Sequence, residues 1–370
     1  MKARESSQRD QLDSGGGRAI FGLLAEDVMA ATIMRGSPGK VAVARPIVDL
    51  GFDGYIRRVG TLSIVPYQLK SRRYIRWDGV YFDRFRVGSL RPDPRAVILF
   101  TYVPPPGLSL HQRFFAIPVT EFIAHCPREK YLDQELFRFA ASMSGDGRSK
   151  WEPYLVETER LQQQWLDKVR AWHDPLPPHP IPRPIQIHRS GEKPGGAKPT
   201  DGRADPHNHV LHGRYAELFV GGRVQFAGRD QVIVAQDRIR FDAVTLLLHD
   251  LRSFRLAGLS VHTGFVDHRG YVPLNVRQHS IFIDPNMWLL LIVSQPDGSF
   301  HNTSFLIPSA AIPSVMPGTH DRRGQIAFVD RIPIADIRPR YRPYVVPTRN
   351  LGDVILDRVF PAAEPVRRTA

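Results

Sequence analysis

An internal repeat limits the possible folds of this chain more than any other feature of its sequence. The segment PYLVETERLQQQWLDKV, which begins at Pro153, matches PYVVPTRNLGDVILDRV, which begins at Pro343, at 8 of 17 positions and at a constant offset of 190. Three further blocks occur in the same order in both halves of the chain. Ile117–Pro118 aligns with Ile307–Pro308 at offset 190, Ala25–Glu26 aligns with Ala216–Glu217 at offset 191, and residues 67–71 align with 259–263 at offset 192. Offsets that drift by a residue or two are typical of insertions in surface loops. The chain is therefore interpreted as two tandem copies of one domain.

The domain boundaries follow from this repeat and from composition. A chain of 370 residues is long enough for two domains that each bury a core. Residues 173–209 are rich in Pro, Gly and polar residues, a composition that predicts a linker. We predict a first domain over 18–172 and a second over 210–360. The polar ends, 1–17 and 361–370, are predicted to be disordered.

Each copy has the pattern of an α/β domain. In the first copy, apolar residues at three- and four-residue spacing predict a helix over 20–34, and a second helix is predicted over 158–172. Short apolar segments between them predict strands over 41–45, 54–58, 62–70, 96–102 and 114–117. A helix, several strands and a helix indicate a mixed central sheet flanked by helices.

Charge and composition indicate the kind of partner. Lys and Arg number 50 against 37 Asp and Glu, which gives a net charge of +13 and favours a polyanionic partner. Charge alone does not separate a nucleic acid from an acidic membrane surface. The single cysteine, Cys126, excludes an intrachain disulfide and a cysteine-based zinc site. Apolar runs too short to span a bilayer and a polar first segment without a signal-peptide core predict a cytoplasmic protein with no membrane partner.

Three polar residues of the first copy form a candidate active site. Gln68 and Lys70 are two residues apart on a predicted strand, so both project from one face of the sheet. Asp53 begins the preceding strand, and a hairpin brings it beside them. Phosphodiester hydrolysis uses such a set, because oxygen ligands hold a hard divalent cation that activates water, and a lysine stabilises negative charge.

The order of these residues resembles the PD-(D/E)xK superfamily of restriction-endonuclease-like nucleases. Gly-Phe-Asp53 followed by Gln68-Leu-Lys70-Ser71 is similar to the branch in which Gln replaces the second acid, as in Holliday-junction resolvases and Mrr-like enzymes. The resemblance covers residues 18–125 and, more faintly, 213–312. It implies two restriction-endonuclease-like domains in which Asp53, Gln68 and Glu26 of the first bind Mg²⁺ or Mn²⁺ and Lys70 is catalytic. An exposed helical glutamate remains an equal interpretation of Glu26, and Asp49 is interpreted as a turn residue.

The second copy lacks most of this pattern. Asp242 lies near the position of the first acid, but Ser260 and His262 stand where the first copy has Gln68 and Lys70. Serine is too short to replace the glutamine as a ligand, and a neutral histidine lacks the fixed charge of lysine. We interpret the second copy as degenerate and inactive.

An arginine-rich segment follows the candidate site. Arginines interleaved with aromatic residues are typical of nucleic-acid binding, in which arginine contacts phosphates and aromatic rings stack on bases. The alternative is a strand pair with a solvated arginine face and an aromatic core face. The candidate nucleic-acid-binding residues are Arg72, Arg73, Arg76, Arg84 and Arg86.

The leading hypothesis is a Mg²⁺-dependent endodeoxyribonuclease with its active centre in the first copy, acting on DNA in defence or repair. A catalytically inactive nucleic-acid-binding protein is the first alternative. A protein-interaction scaffold built from two nuclease-like domains is the second.

Overall fold

A computed structural model describes residues 15–73, 79–104, 109–145, 147, 149–168, 206–228, 230–237, 244–277, 281–295, 297–316, 318–320 and 326–361. Contacts between these residues divide the chain into two compact units, one within Met1–Val59 and Ser63–Pro175 and one within Gly60–Leu62 and Leu176–Ala370. Most of the predicted linker and nearly all of the predicted disordered ends lie outside the described residues. Arg76 and Asp242 also lie outside them.

The first unit is a mixed α/β structure. Its elements are α1 (Gly15–Gly36), β1 (Val41–Pro46), β2 (Gly54–Arg58), β3 (Ile64–Arg72), β4 (Val80–Arg86), β5 (Val97–Tyr102), β6 (Arg113–Pro118), α2 (Val119–His125), β7 (Arg128–Tyr131), β8 (Gln134–Ser142), β9 (Leu155–Glu157) and α3 (Leu161–Gln164). The main sheet has the strand order β1-β2-β3-β5-β6-β9, and β4-β8-β7 form a smaller sheet. Among the described strands of this unit, β3 and β5 are the one parallel pair, and their connection passes through β4 rather than through the helix that usually makes such a crossover.

One face of the main sheet packs on α1. The helix buries Ala25, Met29 and Ile33, which recur every four residues and therefore lie on one side of it. On β3, Tyr67 and Leu69 belong to the same apolar core. Because side chains alternate along a strand, Gln68 and Lys70 belong to the opposite face.

The opposite face is covered mainly by aromatic side chains of the smaller sheet and α2. Phe100 on β5 stacks on Phe139 of β8 with 3.9 Å between ring centroids, and it also contacts Phe122 of α2. Phe85 of β4 stacks on Phe122 at 5.7 Å. The sequence predicted helices on the sheet's flanks, whereas a three-stranded sheet forms much of this second layer.

Three predicted boundaries were wrong. The helix predicted over 158–172 is broken: α3 ends at Gln164, and Trp165 leaves helical geometry with φ −125° and ψ −64°. This conformation accompanies edge-to-face packing of its ring on Phe114 at 5.9 Å. Residues 15–17, predicted as disordered, form the first turn of α1. Residues 206–209, predicted as linker, begin a helix at Pro206, a residue type favoured in a first helical turn.

The second unit has the same order of elements. They are α4 (Pro206–Gly228), β10 (Val232–Asp237), β11 (Leu246–Asp250), β12 (Arg255–Phe265), β13 (Tyr271–Arg277), β14 (Met287–Ser294), β15 (Phe300–Pro308), α5 (Ile312–Val315), β16 (Gly318–His320), β17 (Ile326–Pro333), β18 (Val345–Pro347) and α6 (Leu351–Val359). The main strand order is β10-β11-β12-β14-β15-β18, the smaller sheet is β13-β17-β16, and β12 and β14 are the parallel pair. The connection between them again passes through a strand of the smaller sheet.

Strand registers of the two units coincide at the offsets found in the sequence. Tyr67 pairs with Val97 in the first unit, and Leu259 pairs with Trp288 in the second. Val97 in turn pairs with Pro118, as Trp288 pairs with Pro308. Positions can therefore be compared between the units residue by residue.

Candidate functional site

Asp53 lies beside β3, immediately before β2. Its backbone N–H donates to the Tyr67 carbonyl at 2.9 Å, which continues the β2–β3 pairing by one residue. Its Oδ2 accepts a hydrogen bond from the Leu69 N–H at 2.5 Å. The next residue is Gly54, where any Cβ would overlap the ring of Tyr67. The glycine therefore allows the close strand contact that holds the Asp53 carboxylate against β3.

Gln68 is buried, with 6% of its surface exposed. Its Nε2 donates to the Ser89 carbonyl at 2.9 Å, and this bond fixes the orientation of the amide. The opposite atom, Oε1, is buried and accepts no hydrogen bond from the described residues. A buried acceptor without a partner is unfavourable by about 1–3 kcal/mol. Gln68 therefore presents an oxygen that only a group outside the described chain can satisfy.

Lys70 lies two residues further on the same face. Its Nζ is 5.0 Å from the centroid of the Phe85 ring, a cation–π contact that supports the side chain from the aromatic layer. Burial raises the pKa of the Asp53 and Asp83 carboxyl groups, and the positive charge of Lys70 opposes this rise at both. Lys70 and Asp53 therefore interact electrostatically, as their pairing in the sequence predicted.

Glu26 comes from α1 and is engaged by an arginine. Its Oε2 accepts a hydrogen bond from Arg45 Nη2 at 2.5 Å, and the two side chains form an ion pair. Arg45 also lies 3.9 Å from Asp27 and follows the paired part of β1. Glu26 therefore links α1 to the sheet and keeps the positively charged guanidinium group of Arg45 near Asp53.

These four residues line one cavity of about 460 Å³. The cavity also receives residues from the turn before β2 and from the segment after β4. Its full lining is Gly22, Glu26, Asp49, Leu50, Gly51, Asp53, Gln68, Leu69, Lys70, Ser71, Gly88, Ser89 and Arg91. Asp49 accepts a hydrogen bond from the Gly51 N–H at 3.0 Å, as a turn-forming aspartate does. The structure thus brings together all four residues that the sequence nominated as catalytic or metal-binding.

The electrostatics of the cavity disfavour an ionised Asp53. Burial raises the pKa of this carboxyl group above its ordinary value, and the Asp49 charge raises it further. The Leu69 hydrogen bond and the charges of Lys70 and Arg45 lower that pKa without cancelling the effect of burial. A cation placed against Asp53 would stabilise its ionised form.

The donor atoms fit a hard divalent cation. The described part of the chain contains no group of three or more His, Cys, Asp or Glu residues arranged as a metal site. Of the three carboxylates that line the cavity, Glu26 is paired with Arg45 and Asp49 bonds the Gly51 N–H. Asp53 shares the cavity with Gln68, whose buried Oε1 accepts no hydrogen bond from the described residues. Mg²⁺ is commonly held by one or two carboxylates and several waters, so such a sparse set of protein oxygens suffices.

The arginine-rich segment has two different faces. Tyr81 is buried and Phe85 packs in the aromatic layer, so neither ring is open to stack on a base. The solvated-arginine, aromatic-core alternative describes Tyr81 and Phe85, whereas the half-buried Phe82 lies on the same side of β4 as Arg84, whose guanidinium group is 5.3 Å from its ring centroid. Of the predicted nucleic-acid contacts, Arg72 pairs with Asp83, Arg84 pairs with Glu129 at 2.8 Å, Arg73 lies over the Phe21 ring at 4.8 Å, and Arg86 is exposed.

The second unit keeps the frame of this site and changes its chemistry. Thr245, rather than the predicted Asp242, takes the position of Asp53: its N–H donates to the Leu259 carbonyl at 2.8 Å, and its Oγ1 accepts from the Val261 N–H at 2.9 Å. Ser260 is buried, and its hydroxyl lies 3.0 Å from His262 Nε2. The second unit therefore lacks a carboxylate, a glutamine and a lysine at the three equivalent positions.

The tie between the first helix and first strand recurs in the second unit. Gln236 Nε2 donates to Glu217 Oε2 at 2.9 Å, where the first unit pairs Arg45 with Glu26. Since this contact persists where the rest of the site is lost, it supports the interpretation that Glu26 has a structural role.

Sequence reasoning missed Arg45 and Ser89, and it counted Arg91 only as a member of the arginine-rich segment, not as a residue of this cavity. Each is one arginine or serine among many, and each reaches the site by a contact distant in sequence: Arg45 to Glu26, Ser89 to Gln68, and Arg91 to the Leu50 carbonyl. A local pattern contains no signal for such contacts.

Comparisons with protein-family models, with curated proteins and with solved structures returned no match for this chain. None of the helices in the described part of the chain has the length and apolar character needed to cross a membrane.

Proposed function

We propose that the first unit is a metal-dependent nuclease that hydrolyses DNA phosphodiester bonds. The observation that carries this proposal is the buried, partnerless Oε1 of Gln68 at a cavity that also holds Asp53 and Lys70. These are the oxygen donors and the fixed positive charge that hydrolysis of a phosphodiester requires. The net charge of +13 favours a polyanionic substrate.

The residues divide the chemistry between them. Asp53 and Gln68 would hold Mg²⁺ or Mn²⁺, with Glu26 of α1 completing the shell directly or through a bound water. When bound, the cation supplies a water of lowered pKa and neutralises charge on the phosphate. Water attacks the phosphorus atom and the bond to the leaving sugar oxygen breaks, and Lys70 would donate a hydrogen bond to a non-bridging oxygen of that phosphate as negative charge grows on it. The Phe85 contact and the β3 backbone hold the lysine in place, so little reorganisation is needed during the reaction.

We also propose that the second unit is a degenerate copy of the first. The matching element order and registers support a duplication, and the changes to Thr245, Ser260 and His262 support loss of catalysis. Fused in one chain, such a copy extends the surface available to nucleic acid. A fused copy is also one way to provide the pair of domains that many nucleases obtain by dimerisation.

A binding-only protein is the second candidate, and the Arg45–Glu26 pair favours it. With Glu26 engaged and Gln68 in place of an acid, Asp53 alone supplies a carboxylate to the cation. A site with so little negative charge binds Mg²⁺ weakly. In that case the arginines of β4 would hold DNA without cutting it.

Cleavage assays separate the two candidates. Linear, circular, single-stranded and branched DNA are incubated with Mg²⁺ or Mn²⁺ and either the wild-type protein or Lys70→Ala. Metal-dependent cleavage that the variant lacks supports the nuclease. Salt-sensitive DNA binding without cleavage by either protein supports the binding module. No binding at low salt contradicts both and leaves the scaffold hypothesis.

A further inference from the structure

The segment after β4 contributes two groups to the cavity. The turn over Val87–Ser89 places the Ser89 carbonyl against Gln68, and Arg91 follows two residues later. Arg91 reaches across the turn before β2, where its Nε donates to the Leu50 carbonyl at 2.8 Å. One short segment thus fixes the orientation of Gln68 and adds an arginine to the wall of the same cavity.

Arg91 is held by the inner nitrogen of its guanidinium group. The chain bends at Gly51 with φ +99°, and a Cβ there would lie 3.0 Å from Arg91 Cγ and 3.1 Å from Nε. Only glycine gives the arginine this close approach. Because Nε makes the bond to Leu50, the two terminal NH₂ groups keep their donors, and within the described residues no hydrogen bond or ion pair occupies them. Two parallel donors of this kind match two oxygens of a phosphate group.

The charge of the cavity favours the same ligand. Glu26, Asp49 and Asp53 line the cavity together with Lys70 and Arg91, so three carboxylates stand against two cationic side chains and the lining has an excess of one negative charge. A divalent cation bound at Asp53 would make the lining net positive. A phosphodiester group is then the complementary ligand, with its oxygens shared between the arginine and the lysine side of the cavity.

The second unit supplies an independent comparison. Asp93 accepts a hydrogen bond from the Arg95 N–H at 2.8 Å, and Asp284 accepts the same bond from Asn286 at 2.8 Å. This match at offset 191 places Phe282 at the position of Arg91. The arginine is therefore present in the unit that has Asp53, Gln68 and Lys70 and absent from the unit that lacks them.

We propose that Arg91 is a substrate-binding residue that grips a phosphate of the DNA backbone at the mouth of the nuclease cavity. This inference rests on the proposed nuclease function. It adds a residue outside the Asp–Gln–Lys pattern and assigns it a role in binding and positioning the DNA rather than in activating water.

Binding to a fluorescein-labelled 20-base-pair duplex in Ca²⁺ tests this assignment, since Ca²⁺ takes the same oxygen ligands as Mg²⁺ and the parallel cleavage assay reports whether the probe stays intact. Loss of a charged hydrogen-bonding group by Arg91→Ala raises the Kd about 10-fold and lowers the salt slope by about 1. Arg91→Lys keeps the charge without the paired donors and has an intermediate Kd. The matched control is Arg35→Ala, which removes an exposed arginine that does not line the cavity and leaves the Kd within about twofold of wild type.

The outcomes separate this inference from the nuclease proposal when Mg²⁺-dependent cleavage is measured in parallel. If Arg91→Ala binds like Arg35→Ala while the wild type cleaves DNA, the role of Arg91 is overturned and the nuclease stands. If Arg91→Ala binds weakly but the wild type never cleaves, the phosphate contact stands and the nuclease is overturned. A wild type that neither binds nor cleaves overturns both. Melting temperatures within about 2 °C of wild type confirm that the variants are folded.

Discussion

Replacing Asp53 with asparagine separates the stability of the site from its function. Asparagine has the same shape and still offers Oδ1 to the Leu69 N–H, which now bonds Asp53 Oδ2 at 2.5 Å. The substitution removes the Asp53 carboxyl group, whose pKa is raised chiefly by burial. Ionised Asp53 therefore destabilises the metal-free fold at neutral pH, and Asp53→Asn should be the more stable protein in EDTA.

The size of the effect follows from linkage. Each unit by which folding raises the pKa corresponds to about 1.36 kcal/mol, and 1 kcal/mol shifts the melting temperature of a 150–250-residue domain by about 2–4 °C. We expect Asp53→Asn to melt above wild type in EDTA at pH 7. The advantage is complete above the raised pKa of Asp53, shrinks as the pH falls through it, and is absent below the ordinary aspartate pKa, where wild type is also neutral.

Divalent cations should reverse this order. A cation present at 100 times its Kd stabilises the protein that binds it by about 2.7 kcal/mol, and only wild type has the Asp53 carboxylate. Differential scanning fluorimetry with EDTA, Mg²⁺ or Mn²⁺ measures both effects, with the exposed Asp336→Asn as the control for loss of one carboxylate. Lower stability of Asp53→Asn in EDTA, or an equal shift of both proteins by Mg²⁺, would refute the reasoning.

Two further substitutions test the frame of the site. Gly54→Ala forces the Tyr67 ring away from β2 and should destabilise the protein by about 1–3 kcal/mol. Gly222→Ala on α4, where an added Cβ meets no atom within 4 Å, should instead stabilise it by about 0.5–1 kcal/mol. Urea unfolding measures both free energies, and equal effects of the two substitutions would contradict the role of Gly54 in strand packing. Arg45→Ala should destabilise by about 1 kcal/mol because Glu26 loses a hydrogen-bonded partner, while Arg45→Gln, which restores the amide found at this position in the second unit, should lie near wild type. Equal melting temperatures for the two Arg45 variants would show that the tie to α1 contributes nothing.

Much of the main sheet could be predicted because its pattern is local. The ends of β1, β2, β5 and β6 lie within a residue of the predicted ones, since each is an apolar segment bounded by polar turns. The position of Gln68 and Lys70 on one face follows from strand alternation alone. Asp53 could be placed beside them because a hairpin joins β2 to β3.

The smaller sheet could not be predicted in the same way. β4 pairs with β8, and Phe82 lies opposite Ala140 far along the chain. Without that partner, alternating arginines and aromatics match a nucleic-acid-binding pattern as well as a strand with one buried face. The position of Thr245 escaped prediction for a related reason: loop lengths differ between the copies, so an aspartate three residues earlier gave a tempting but incorrect match.

The central claim is that catalysis belongs to the first unit alone. Its most direct test is the rate of Mg²⁺-dependent DNA cleavage by wild type, Lys70→Ala and His262→Ala, which change equivalent positions of the two units. We expect Lys70→Ala to reduce the rate by a factor on the order of 10²–10³ and His262→Ala to leave it unchanged. Equal rates for wild type and Lys70→Ala, or loss of cleavage in His262→Ala alone, would contradict the assignment of the active centre to the first unit.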